Sequence, residues 1–510
     1  MNRQYRLQWV ATLPLLLLFL FGCQNSAPNS VGMSPTARAT GERSDPTPAG
    51  DPLTASPTPN FEPGAPGLGD SLYPGFGNGG YDVQHYTLDL TVTDIDSGTL
   101  KGTTLIEAEA TQNLGSFNLD FIGLTLETVT VNSQPATFNR RGQELTVTPP
   151  TPLEAGTPFT VELTYEGIPK QITSVALPVR VGWVIFDGGS FVVSEPDGAA
   201  NYFPVNDHPL DKATYTFRIT VPQPLEVAAN GLLVETVEHG DSTTFVWEAR
   251  DLMASYLATI NISDFDVETE PDPNGVLIRN YYAAGLDEAV RQPFARQAEI
   301  LALYSELFGP YPFEAYGAVV VDANIGGALE TQTMSIFGTD LINPDDIQSA
   351  ELVVAHEAAH QWFGNSVSLA DWSDIWLNES FATYAEGLWL EHTEGPDALQ
   401  EWVRNLYNGA VVMREQLPPP GRPLADNLFN WSVYNWGALS LHALRLEVGD
   451  EVFFDILRTY YERFQDSNAT TADFIAVAGE VSGQDWGPFF DRWLYSGELP
   501  PIPALDLTGQ

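Results

Sequence analysis

The chain is 510 residues long, and its 43% hydrophobic and 11% aromatic content is enough to fill two or three globular cores. Its 22 lysines and arginines stand against 67 aspartates and glutamates, a formal net charge of -45. That balance argues against a nucleic-acid partner and against a polybasic membrane contact, because both would bring anionic surfaces onto an anionic protein. One cysteine, Cys23, leaves no intramolecular disulfide possible.

Residues 1–23 carry Arg3 and Arg6, then an apolar stretch over 10–21, then Gly22-Cys23. The stretch falls short of the about 20 apolar residues that span a bilayer and reads as a secretory signal. Its ending, Leu20-Phe21-Gly22-Cys23, resembles a bacterial lipobox, which implies lipidation at Cys23 and a protein tethered to the cell envelope, facing the extracytoplasmic side. A plain cleaved signal with an incidental cysteine is the alternative. No later stretch is long and apolar enough to span a membrane.

Residues 24–78 are rich in Pro, Ser, Thr and Gly and read as a flexible tether, since they bury too little surface to offset their ordering entropy. Period-two alternation then recurs at 86–92, 103–110, 126–131, 159–165 and 215–221, divided by Gly, Pro, Asn and Asp signals. From about residue 281 the apolar spacing turns helical, with a helix expected over 289–307, a short strand over 318–321, an extended segment over 328–337 and helices to about 489. The expectation is a multidomain α+β protein. An N-terminal antiparallel β-sandwich or saddle domain covers 79–265, and a mainly helical domain covers 266–510.

The strongest chemical signal is His356-Glu357-Ala358-Ala359-His360, inside a helix candidate over 347–363. Positions four apart share a helix face, so both imidazoles reach one metal with Glu357 alongside. The third ligand is expected from the next helix, at Glu379, 19 positions after His360 and set among apolar neighbours where a carboxylate needs a strong partner. Two imidazoles and one carboxylate leave a tetrahedral zinc one position for water, whose pKa falls to about 7 within reach of Glu357 as base. One Zn2+ per chain is the expected cofactor. His442 reads as a core histidine, and His85, His208, His239 and His392 have no companions at ligand spacing.

His-Glu-x-x-His, eighteen intervening residues and a glutamate within Trp376-Leu377-Asn378-Glu379-Ser380 resemble the gluzincin aminopeptidases of the aminopeptidase N and leukotriene hydrolase type. The segments 80–90, 195–213 and Phe308-Gly309-Pro310-Tyr311-Pro312-Phe313 are similar to further signatures of that family, in the same order. The resemblance implies a thermolysin-like catalytic domain over 266–510. Gly327-Ala328-Leu329-Glu330-Thr331 looks like the family's exopeptidase motif, implying that Glu330, with Gly327 and Ala328 beside it, binds substrate and takes its free α-amino group. Glu195 would be the companion acid. Tyr434, in Val433-Tyr434-Asn435-Trp436-Gly437, would donate to the oxyanion. The bland alternatives are a solvent-facing strand acid, a turn acid and a packed aromatic.

The resemblance implies a zinc aminopeptidase acting on peptides with free N-termini, touching membrane only through its lipid anchor. It also implies that the long helical C-terminal domain of many relatives is missing, leaving a more open cleft. The rivals are a thermolysin-like endopeptidase and a zinc-bearing envelope module that binds peptides without turnover. Epoxide hydrolysis, an added activity in part of the family, is a weaker third. No sequence feature sets an oligomeric state.

Overall fold

In the strands of the N-terminal half, side chains alternate between a packed and a solvated face, as period-two patterning requires. Tyr81–Asp94, Thr99–Ala110 and Pro158–Gly167 bury Tyr86, Leu88, Leu90, Ile106, Val161 and Leu163 on one side and leave polar residues on the other. They are central to an eight-stranded sheet in the computed structural model, which describes residues 60–271 and 275–508. Cys23, the apolar stretch before it and the tether as far as residue 59 lie outside the described residues.

The sheet is mixed, unlike the purely antiparallel expectation. Tyr81–Asp94 pairs antiparallel with Thr99–Ala110 but parallel with Ala213–Pro222. Alternation specifies which face is buried and not the direction of the neighbour. A second sheet, including Arg180–Phe186, Gly189–Val193 and Ile260–Ser263, carries the chain into the loop that holds Glu195.

Residues 60–78 correct the tether expectation, because they are built into the fold. Asp70 is 4% exposed, and its carboxylate accepts from the backbone N–H of Tyr73 at 2.7 Å and of Trp372 at 2.7 Å, with His208 Nε2 at 3.3 Å. Ser71 donates to Asp371, and Tyr73 Oη donates to the Ala425 carbonyl at 2.7 Å. Polar anchors with partners some 300 residues away hold this strap, and composition does not register them.

The second half opens with a sheet ordered Phe265–Pro271, Leu277–Ala283, Ala315–Val321, Ser335–Gly338, Ala328–Leu329. Ala315–Val321 is buried throughout, as its continuous apolar run requires. The extended segment expected over 328–337 is two strands, because the chain turns at 330–334 and Thr333 takes a left-handed φ of 65°. Ala328–Leu329 pairs only with Ser335–Gly338 and is the edge strand.

The helix expected over 289–307 is broken near Pro293 into a 3-10 stretch and α1 (Gln297–Phe308). α2 (Ile347–Ala359) is capped by Asp346, whose side chain accepts from Ser349 N. α3 (Trp376–Glu394) packs on α2 and is buried along most of its length, between α4 (Pro396–Met413) and α5 (Gly437–Val448). Among the described residues no helix is long and apolar enough to cross a membrane.

Candidate active site

α2 ends at Ala359, four residues before the expected stop, with His360 as its C-cap. His360 keeps helical backbone angles, so its ring stays in phase with His356 one turn earlier. Gly364 then turns the chain at a φ of 132°, where a Cβ would press to 3.2 Å from His360 Nδ1. Glu379 lies in the first turn of α3, where the helix dipole favours a carboxylate.

These elements bring three donors together. His356 Nε2 and His360 Nε2 are 3.0 Å apart, and Glu379 Oε2 stands 3.3 Å from the first and 3.4 Å from the second. Donors about 2.0–2.2 Å from one tetrahedral ion are separated by about 3.3–3.5 Å, so the set has the size of a zinc site. The outer ring nitrogens point the same way. His356 Nδ1 meets Glu386 Oε1 at 2.8 Å, and His360 Nδ1 meets the Phe363 carbonyl at 3.1 Å. Each Nδ1 thus donates its proton outward, which turns both Nε2 atoms and a carboxylate oxygen toward one point. A cation resolves that arrangement.

The surrounding charges ask for cations too. Glu357 is 5% exposed, and its Oε2 has no hydrogen-bond partner. Burial pushes its carboxyl up to about 8 against the pull of His356 and His360. Glu330, 2% exposed, is raised by burial, and its Oε1 also lacks a partner. Burial and the neighbouring Glu330, Glu379 and Glu357 hold Glu195 well above the carboxylate range, with its Oε1 unpartnered. For Glu379 burial acts upward, but His360 and the bonds from both imidazoles prevail and bring it to about 2. Glu330, Glu357 and His360 each have a donor atom within 4.8 Å of the others, so Glu330 and Glu357 stand together beside the metal donors.

Glu330 is held by its backbone. Its carbonyl accepts from Gln361 Nε2 at 3.1 Å and Asn365 Nδ2 at 2.7 Å, while Gln361 Oε1 accepts from Thr333 N at 2.9 Å. The edge strand is thereby pinned to the end of α2. Gly327 and Ala328 precede Glu330 in the chain, Ala328 within the edge strand and Gly327 just before it; a Cβ on Gly327 would meet open space, so packing within the fold does not require glycine there.

Tyr434 lies in a π-turn, Ser432–Trp436, its ring stacked on His356 with centroids 6.0 Å apart and planes at 24°. Ser380 on α3 donates to the Val433 carbonyl, and Gly437 lets the helices touch, since a Cβ there would sit 1.7 Å from Ser380 Oγ. Burial and the surrounding carboxylates keep the Tyr434 phenol protonated and able to donate.

Every site residue expected between 195 and 434 thus borders this donor set or the strand leading into it. Sequence reasoning missed Glu386, Gln361 and Asn365. Glu386 follows Glu379 by seven positions on one helix, two turns along the same face, which is a readable signal. For Gln361 and Asn365 no signal existed, because their partner is a backbone carbonyl over thirty residues away. His442 accepts or donates at Nδ1 with Tyr384 Oη at 3.1 Å inside the helical core.

Residues 82–257 match the Peptidase M1 N-terminal domain, and residues 293–493 match the Peptidase family M1 domain. Among solved structures, the M1 zinc metallopeptidase from Deinococcus radiodurans is similar with a TM-score of 0.79 and 34% identity, covering 86% of this chain and 98% of that one. A mutant of it bound to a Tyr-ser-ala substrate matches at the same TM-score and 35% identity, covering 86% and 99%. Aminopeptidase N from Streptomyces lividans is 25% identical over 443 residues, 81% of this chain and 50% of its own length. Aminopeptidase M1 from Arabidopsis thaliana is 27% identical over 336 residues, 62% and 38%. The chain spans half or less of the length of these curated relatives. With both family domains present in order and a solved M1 metallopeptidase covered almost end to end, the chain belongs to peptidase family M1, whose catalytic metal is zinc.

Proposed function

We propose that this protein is a zinc-dependent aminopeptidase that removes N-terminal residues from peptides. The observation that carries the reading is the pair of unpartnered buried carboxylate oxygens, Glu330 Oε1 and Glu195 Oε1, beside the His356, His360 and Glu379 donor set. An α-ammonium group is the cation that satisfies both acids at once, and it fixes the terminal peptide bond at the reacting centre. An internal residue of a longer peptide brings no such charge.

His356, His360 and Glu379 hold the metal, with Glu386 and the Phe363 carbonyl orienting the rings. Zinc, when bound, supplies Lewis acidity that lowers the pKa of water to about 7 and offsets developing negative charge. Glu357 Oε2 accepts a proton from the attacking water, and the same oxygen delivers it to the departing amine as the C–N bond breaks. Tyr434 Oη donates to the carbonyl oxygen as it gains charge. Activity on a panel of aminoacyl fluorogenic substrates, lost with a chelator and restored by zinc, is the expected result. A panel left untouched by the zinc-loaded protein would reject the proposal.

The signal-like start and Cys23 support a lipid-anchored, envelope location facing away from the cytoplasm, with residues 24–59 as the tether and domains meeting near residue 265. Fractionation of cells carrying the wild type and Cys23→Ala tests it: membrane association that persists in the variant would count against the anchor.

A further inference from the structure

Beside the cleft lies a groove of about 420 Å3, walled by strand Arg180–Phe186 and its neighbour on one side and by residues 323–326 on the other. Its floor is apolar, with Phe186, Phe191, Val179 and Ile325. Phe186 and Phe191 pack with ring centroids 6.0 Å apart. Gly326 takes a φ of 79° and brings its backbone against Val179 Cγ1, 3.4 Å from where a Cβ would stand.

Both walls run directly into the proposed amine site. Strand Gly189–Val193, which contributes Phe191, ends two residues before Glu195, and Gly326 stands four residues before Glu330. Between Gly326 and Glu330 lies the edge strand Ala328–Leu329, whose outer side has no strand partner. A peptide whose amine rests at Glu330 and whose backbone follows that free edge runs antiparallel to it. At about 3.3–3.4 Å per residue, four residues of strand match four residues of extended peptide. The far end of a four- or five-residue substrate therefore arrives at the groove.

At the groove is Arg180, exposed, whose guanidinium has no hydrogen bond or ion pair among the described residues. Its guanidinium is thus an unpaired cation beside a cleft of buried acids, in a chain with 22 basic against 67 acidic side chains. It cannot serve the amine end and is complementary to a carboxylate.

We propose that this groove receives the far end of the substrate, taking an apolar side chain at about the fourth or fifth residue and holding the C-terminal carboxylate with Arg180. The proposal rests on the aminopeptidase reading above and adds a preference for short peptides with a free C-terminus. An exposed ion pair gives a modest effect, about three- to five-fold in affinity.

The test uses the full chain loaded with zinc. In the Glu357→Gln background, which stops turnover, calorimetry measures binding of Leu-Ala-Ala-Ala-Leu as the free acid and as the C-terminal amide. The acid is expected to bind about three- to five-fold tighter, Arg180→Gln to abolish that difference while leaving the amide unchanged, and Arg180→Lys to restore part of it. With Glu357 intact, Arg180→Gln should hydrolyse a single-residue aminoacyl fluorophore at the wild-type rate, which also shows that the variant folds. Equal binding of acid and amide, or an equal loss for both in Arg180→Gln, overturns the groove assignment while aminoacyl hydrolysis stands. If the wild type hydrolyses no aminoacyl substrate, the aminopeptidase reading falls and this assignment falls with it.

Discussion

Five carboxylates surround the two imidazoles, and they differ in what each oxygen touches. Glu379 faces both Nε2 atoms and Glu386 takes the outer proton of His356, whereas Glu195, Glu330 and Glu357 each keep an oxygen without a partner. The division separates two kinds of variant. Glu357→Gln should lower kcat by about 10²–10⁴-fold with the zinc content unchanged, because it removes a proton acceptor and no metal donor. Glu386→Gln should do the reverse, weakening zinc affinity by about 10–100-fold in a chelator competition while kcat at saturating zinc stays within a small factor. Zinc loss in the first variant would place Glu357 among the ligands. Of these five acids, sequence reasoning assigned roles to four; Glu386 escaped because its work is done through another residue's ring.

At the scale of elements, the helix pair α2 and α3 was legible because ligand spacing and apolar spacing agree over the same residues. The turn at 330–334 was not legible, since nothing local demands that Thr333 adopt a left-handed φ. Gln361 and Gly231 supply the bonds that hold it there. Packing between elements also sets the pH response of the fold. His442, on α5 against α3, is held down to about 4 by burial and by nearby Arg445, below its unfolded value near 6.5. The unfolded chain therefore takes up that proton first. The stability this histidine contributes is present above about pH 6.5 and is lost as pH falls towards 4, by at most about 3 kcal/mol.

Asp207 and Asp211, under the N-terminal sheet, act with the opposite sign. Burial pushes them from 3.8 up to about 7 and about 8, so the folded state holds their protons more tightly, and a contribution that is full below about pH 4 is lost as pH rises from there through 7 and 8. Denaturant unfolding from pH 4 to 9 should show His442→Gln flattening a rising limb between about pH 4 and 6.5, and Asp211→Asn flattening a falling limb that ends near pH 8. Unchanged limbs in both variants would contradict this assignment of charge states.

Across the whole molecule, a net charge of -45 is compatible with a cleft that gathers buried carboxylates, because the ligands it invites are cations. The order of a β-rich half followed by a zinc-binding helical half was readable from periodicity and one motif. The strap at 60–78 was not, since its anchors, Asp70 to Trp372 and Ser71 to Asp371, join residues 300 apart in sequence. Those contacts show only once both halves are folded against each other.

The central claim is that Glu330 and Glu195 read a free α-amine beside a zinc centre. The most direct measurement compares one pentapeptide with a free N-terminus and its N-acetylated twin, both incubated with the zinc-loaded protein and analysed by mass spectrometry. The account predicts stepwise release of single N-terminal residues from the free peptide, with the acetylated one cut at least about 100-fold more slowly, as expected when buried polar groups lose their partner. Equal cleavage of the two, or cuts at internal bonds, would contradict it.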